Sequence, residues 1–242
     1  MTTAVRALTV ADWRNIRRDS LLQFVLIYPF ILGIGMRWLI PFVTTALADR
    51  YDITQYNHLL AGFFGLLIVP ALVGIAIGFL LLDERDDRTL SALQVTPLSP
   101  GAYLVYRLGF PALISVISVL IVMPLMNIVP VNVYRLLPMM LVAAMEAPIF
   151  ALFLATFAHN KVQGLALMKA AGITLIIPFI SWFIPAPWQW FLGIIPTFWP
   201  VKSYWLMVSG DTYWPHLLVG IALHALVLWL LVRRFYVTAY RT

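Results

Sequence analysis

The sequence predicts an all-α, polytopic integral membrane protein, and three observations predict it. Of 242 residues, 62% are hydrophobic and only 11% charged, whereas a soluble domain averages about 45–50% apolar and about 25% charged residues. Six stretches, 21–41, 58–82, 101–126, 136–158, 164–184 and 215–232, approach or exceed the length of about 20 apolar residues that a helix needs to cross a hydrocarbon core. Runs such as Leu66-Leu67-Ile68-Val69 and Leu175-Ile176-Ile177 lack the alternation of barrel strands. This composition excludes an ordinary soluble enzyme, a disordered chain and a soluble nucleic-acid binder, so no nucleic-acid partner is expected. The absence of cysteine excludes disulfides, zinc–thiolate sites and thiol catalysis. With no internal repeat or low-complexity linker, residues 1–242 read as one transmembrane domain.

The first 20 residues carry Arg6, Arg14, Arg17 and Arg18 and no apolar run, unlike a removable leader. Thr9-Val10-Ala11-Asp12 reads as a capping box that opens a helix. On that helix Val10, Trp13 and Ile16 share one arc, Arg14, Arg17 and Arg18 lie beside it, and Asp12, Asn15 and Asp19 lie opposite. Such a helix would rest in the headgroup layer with Trp13, Arg14, Arg17 and Arg18 as interfacial anchors. The alternative is an ordinary positive flank to the first span. With six spans both termini share a side, and that side collects twelve Lys and Arg: Arg6, Arg14, Arg17, Arg18, Arg85, Arg88, Arg107, Lys161, Lys169, Arg233, Arg234 and Arg241. Only Arg37, Arg50, Arg135 and Lys202 fall on the other. The expected location is therefore a cell membrane with both termini cytoplasmic.

The second span holds Gly74-x-x-x-Gly78, which permits close helix approach, within the chain or between protomers, or is chance. It runs into the one sizeable cytoplasmic loop, Asp83-Glu84-Arg85-Asp86-Asp87-Arg88, which carries four of the ten acidic residues. Glu84 and Arg88 are spaced i,i+4 in the favourable order. Leu90 and Leu93 share a face of the helix that follows, and Pro97 and Pro100 end it. Paired leucines on so short a helix point to docking against a partner; a helix lying flat on the membrane would use the same leucines.

The fourth span contains the one deep acid. Glu146 lies about 20 Å from the span's end near His159, close to mid-bilayer, and an intramembrane carboxylate is costly enough to demand a role. It could meet a cationic substrate, pair with Arg37 of the first span, or stay protonated within the bundle. Pro148, two residues on, frees backbone groups for a local polar pocket. Residues 178–215 then concentrate six of nine tryptophans, Trp182, Trp188, Trp190, Trp199, Trp205 and Trp214, and six of sixteen prolines. They read as an outer aromatic belt, with Trp188–Ile195 as a short helix dipping into the outer leaflet.

Catalytic signatures are missing. No phosphate loop, H-E-x-x-H or G-x-S-x-G occurs, and His58, His159, His216 and His224 are dispersed, each read as an interfacial or packed side chain. Neither a metal site nor catalytic residues are expected.

The loop also carries a resemblance. Asp83-Glu84-Arg85-Asp86, the Thr89-Leu90 pair, Leu93 and the close at Thr96-Pro97-Leu98-Ser99 resemble the coupling loop of ATP-binding-cassette export permeases, nearest to the fluoroquinolone-export type. The layout is similar too, from the amphipathic N-terminal helix to the short interfacial element before the last span. The chain departs from the pattern in having Arg88 where family members often have glycine. The resemblance implies a half-transporter that is not itself an enzyme and exports a hydrophobic or amphipathic compound such as a drug. Glu84, Arg85, Arg88, Thr89, Leu90, Leu93, Thr96 and Pro97 would couple it to a separate ATPase subunit holding ATP and Mg²⁺. A second permease half, identical or paralogous, would complete the pathway. The alternative classes are a stand-alone secondary transporter or channel, which would more commonly show repeats and several mid-membrane ionisable groups, and a membrane-embedded enzyme, which would need the missing catalytic set.

Overall fold

The computed structural model describes residues 2–86 and 100–240. Every regular element among them is helical. α1 (Thr2–Arg18) is followed by α2 (Ser20–Leu47), a 3-10 turn (Thr54–Tyr56), α3 (Asn57–Ala61), a π-helical stretch (Gly62–Ile68) and α4 (Val69–Asp86). Beyond residue 99 come α5 (Pro100–Met126), α6 (Val133–Ala144), α7 (Glu146–Phe157), α8 (Lys161–Ser181), α9 (Ala186–Leu192), α10 (Phe198–Ser209) and α11 (Trp214–Tyr240). The six expected spans are present as helical rods, Leu22–Leu47, Thr54–Arg85, Gly101–Met126, Val133–Phe157, Lys161–Ser181 and Trp214–Phe235. Each is long and apolar enough to cross a membrane.

The rods are not equivalent. The most apolar window of the second is 89% buried inside the protein, against 22% for the first and last. The second rod is the axis of the bundle. α2 and α5 pack on one side of it and α7 and α8 on the other, while α11 closes over α7 and α10. The packing is close because the axis presents glycine. A Cβ on Gly74 would meet the Ala147 carbonyl oxygen at 2.4 Å, and one on Gly78 would meet Leu154 at 2.9 Å. The Gly74-x-x-x-Gly78 motif therefore works within the chain, between α4 and α7, and not between protomers.

Prolines shape the two central rods. The π-helical stretch ends just before Pro70, which has no N–H to give the carbonyl four residues back. In the fourth rod Pro148 likewise leaves the Ala144 carbonyl without its helical donor. The rod breaks at Met145, whose N–H turns back to the Val142 carbonyl at 3.1 Å. Glu146 thus begins a new helix in the middle of a span.

Three expectations need correction. α1 starts at Thr2 and not at Thr9, so Thr9–Asp12 is helix interior and not a cap. The segment expected as one short helix over 188–195 is α9, Ala186–Leu192, and a second helix, α10, follows it. Trp199 and Trp205 are buried members of α10 and not part of an interfacial belt, whereas Trp188, Trp190 and Trp214 are exposed. Trp199 fits because two glycines receive it: a Cβ on either Gly193 or Gly220 would stand 2.7 Å from its side chain. Its indole N–H also donates to the Gly193 carbonyl at 2.8 Å.

Candidate functional site

Two polar sites interrupt the apolar bundle. The first lies at the end that carries the termini, around the two feet of the 87–99 segment. Arg107, two turns into α5, is almost fully buried. A buried guanidinium needs anionic partners, and it has two. Its fork grips Asp12 of α1 at 2.7 and 3.0 Å, and its Nη2 also donates to Glu84 of α4. Tyr106 donates to Asp12 at 2.7 Å and Tyr103 to Glu84 at 2.8 Å, so each carboxylate is held by a phenol as well as by the cation. The rings of Tyr103 and Tyr106 lie 5.4 and 5.3 Å from the guanidinium carbon, within cation–π range. One buried cluster therefore ties three helices: α1, the last turns of α4 before the segment and the first turns of α5 after it.

A second set of contacts fixes the same end to the rest of the bundle. Arg85 donates to the carbonyls of Ala155 and Ala158 at 3.3 and 2.8 Å. It thus caps the C-terminus of α7, where carbonyls lack helical donors and the dipole favours a cation. Lys161, at the start of α8, reaches Asp19 at 2.7 Å and Asp83 at 3.0 Å. Of the coupling residues named from sequence, Glu84 and Arg85 are therefore structural feet of the loop. Arg88, Thr89, Leu90, Leu93, Thr96 and Pro97 lie outside the described residues.

The second site is in mid-span. Glu146 is 1% exposed and lies thirteen residues from one end of its rod and eleven from the other. Arg37 does not pair with it; that side chain is exposed on α2. The partner is His224 of α11, fully buried, with Nε2 4.0 Å from Glu146 Oε1. That is too far for a hydrogen bond, and His224 Nε2 and both oxygens of Glu146 have no hydrogen-bond partner. The other ring nitrogen, Nδ1, lies 2.7 Å from the Gly220 carbonyl and donates its N–H to it. Glu146 lines a cavity of about 320 Å³ whose other walls are apolar except for two threonines. They include Phe150 and Phe153 of α7, Ala170, Ala171 and Thr174 of α8, Pro196 and Thr197, and Val227 and Leu231 of α11.

Trp13, Arg14, Arg17 and Arg18, named from sequence as interfacial anchors, are exposed along α1. Asp12 on the same helix is turned into the bundle, so α1 presents its apolar and basic arc outward and its acidic side to the protein. Sequence reasoning missed Asp12, Tyr103, Tyr106, Arg107 and His224 as site residues. The available signal was Arg107 itself, a cation inside an apolar helix that requires a carboxylate from elsewhere in the chain. Outside the spans, burial lowers the Lys202 ammonium below its ordinary range, partly offset by Asp211. Among the described residues, no cluster of three or more His, Cys, Asp or Glu could hold a metal.

Six apolar rods, three of which line a cavity that bears an acid, define a multi-pass membrane protein. Comparison with known proteins makes this specific. The chain belongs to the Rv2686c-like family of fluoroquinolones export permease proteins, whose sequence profile matches residues 12–232. Two similar proteins of Mycobacterium tuberculosis, from strains CDC 1551 and H37Rv, are both named fluoroquinolones export permease proteins. Each is 35% identical over 228 residues, covering 93% of this chain and 90% of the relative. The chain is a membrane permease for export.

Proposed function

We propose that the chain is the membrane half of an ATP-driven exporter. It moves hydrophobic or amphipathic compounds, fluoroquinolones among the candidates by its relatives' names, out of the cytoplasm or the inner leaflet. In this reading the termini face the cytoplasm across a cell membrane, and a separate ATPase subunit, with its ATP and Mg²⁺, docks on the 83–98 loop. A second permease half completes the pathway.

The observation that carries the proposal is the Asp12–Arg107–Glu84 cluster. A loop that only connects two spans has no need for buried ions at both feet, whereas a loop that receives force does. With both feet bound to each other and to α1, displacement of the loop moves α1 and the near ends of α4 and α5 together. α4 in turn lies on α7 through Gly74 and Gly78, against Ala147 beside Glu146, so the motion reaches the cavity through rigid contacts.

The test replaces Leu90 and Leu93 together by Asp, which places unpaired charge in the proposed docking contact. The variant is expected to reach the membrane at normal abundance, to lose co-purification of a candidate ATPase subunit, and to lose ATP-dependent export. A double variant that still binds its ATPase and exports normally would return the loop to the membrane surface. The Glu146–His224 pair also suits a proton-driven secondary transporter. Export that persists without ATP but collapses with the proton gradient would select that class.

A further inference from the structure

We propose that the mid-span cavity is a binding site for amphipathic amines, with the Glu146 carboxylate as the receptor for a protonated amine head. The assignment names a cargo class for the export reading above and rests on it.

The two oxygens of Glu146, a wall of the cavity, are buried without a hydrogen-bond donor. His224 Nε2 stands 4.0 Å from Oε1, too far to serve as one. A primary or secondary ammonium brings two or more N–H donors. Its charge also matches the carboxylate in a setting where an isolated ion is strongly disfavoured. A quaternary ammonium carries the charge but no N–H, and a neutral amide brings at most a weaker donor and no charge.

The walls fix the rest of the ligand. Phe150, Phe153, Val227 and Leu231 leave an apolar volume beside the acid, and about 320 Å³ lies at the lower end of the range for small-molecule sites. The fitting molecule has one or two apolar rings and one ammonium. The site contains no second charged side chain to receive a further polar group.

The test measures binding without ATP, so its outcome is independent of whether an ATPase drives the chain. Purified protein is placed in phosphatidylcholine nanodiscs, whose headgroups offer no N–H, and empty nanodiscs are subtracted. The probe is propranolol, a naphthyl ether with a secondary ammonium, compared with its neutral N-acetyl derivative. Wild-type protein is expected to prefer the ammonium, and Glu146→Gln to weaken it at least tenfold with little change for the neutral compound. Equal affinity for the two probes, or unchanged ammonium binding by Glu146→Gln, would overturn the assignment. If Glu146→Gln does not fold, Ala170→Trp decides. Ala170 lies on the exposed rim of the cavity, so a larger side chain there blocks the space without entering the core. Loss of both probes by folded Ala170→Trp supports the site, and retention of ammonium binding refutes it.

Discussion

Replacing Arg107 by Met removes the cation from the cluster and keeps most of the apolar stem. Asp12 and Glu84 then remain buried, 1% and 5% exposed, with one phenol each and no counter-charge. Breaking a buried ion pair by removing one partner costs about 3–5 kcal/mol, because the other charge is left uncompensated. Here two carboxylates are stranded, which places the expectation at the upper part of that range. For a chain of this size each kcal/mol moves Tm by about 2–4 °C, so the expected loss is roughly 6–20 °C. The assay is thermal unfolding of the detergent-solubilised protein. A companion triple variant, Asp12→Asn with Glu84→Gln and Arg107→Met, removes all three charges at once. It is expected to regain much of the lost stability, because no ion then stays buried alone. Under the proposed mechanism the triple variant should nonetheless export poorly, since the ionic bolt between the loop's feet is gone. A Tm loss under about 3 °C for Arg107→Met would give the cluster only the magnitude of a surface pair, and would falsify the reasoning that it is a buried, mutually dependent unit.

The remaining predictions use the same contrasts. Lys161→Gln, in a pair whose lysine side chain is 38% exposed, should cost no more than about 1 kcal/mol, read as a Tm shift of a few degrees at most. Gly74→Val should be strongly destabilising, by about 1–3 kcal/mol or more, because its nearest neighbours are the backbone of Ala147 and cannot swing aside. Gly35→Ala, with nothing within 4 Å, should be neutral or slightly stabilising in the same unfolding assay. Trp199→Ala should cost about 3–5 kcal/mol, as expected for an emptied aromatic site, and should loosen α9 and α10 against α11 as seen by faster proteolysis of the 193–197 turn. Cysteine introduced at Arg50 or Asp211 should react with an impermeant thiol reagent in intact cells, and cysteine at Arg88 should not; the opposite pattern would invert the orientation.

The parts legible in the sequence were those that depend on local sums. Whether a segment leaves water depends on the hydropathy of some 20 consecutive residues, so the six spans, the helical class and the charged end could be read from the chain directly. The Gly74 and Gly78 spacing, Glu146 as the one deep acid and the outward arc of α1 were readable for the same reason.

Which residues meet was not readable, and the physical reason is specific to an apolar chain. In a soluble helix the polar face marks the outside, but here almost every face is apolar, so periodicity does not say which side is buried. The first and second rods both qualify as spans, yet one lies mostly exposed at the edge and the other forms the axis. The ion partners are distant as well: Asp12 and Arg107 are 95 positions apart, and Glu146 and His224 belong to different rods. Each of these groups by itself is an unfavourable burial, and only close packing of α1 against α4 and α5, and of α7 against α11, brings a polar neighbour to it. The sequence by itself determined that the chain spans a membrane six times and carries a carboxylate at mid-depth. Tertiary packing decided that Arg107 joins both feet of the loop and that Glu146 lies beside His224, because the partners for buried polar groups come from helices far apart in the chain.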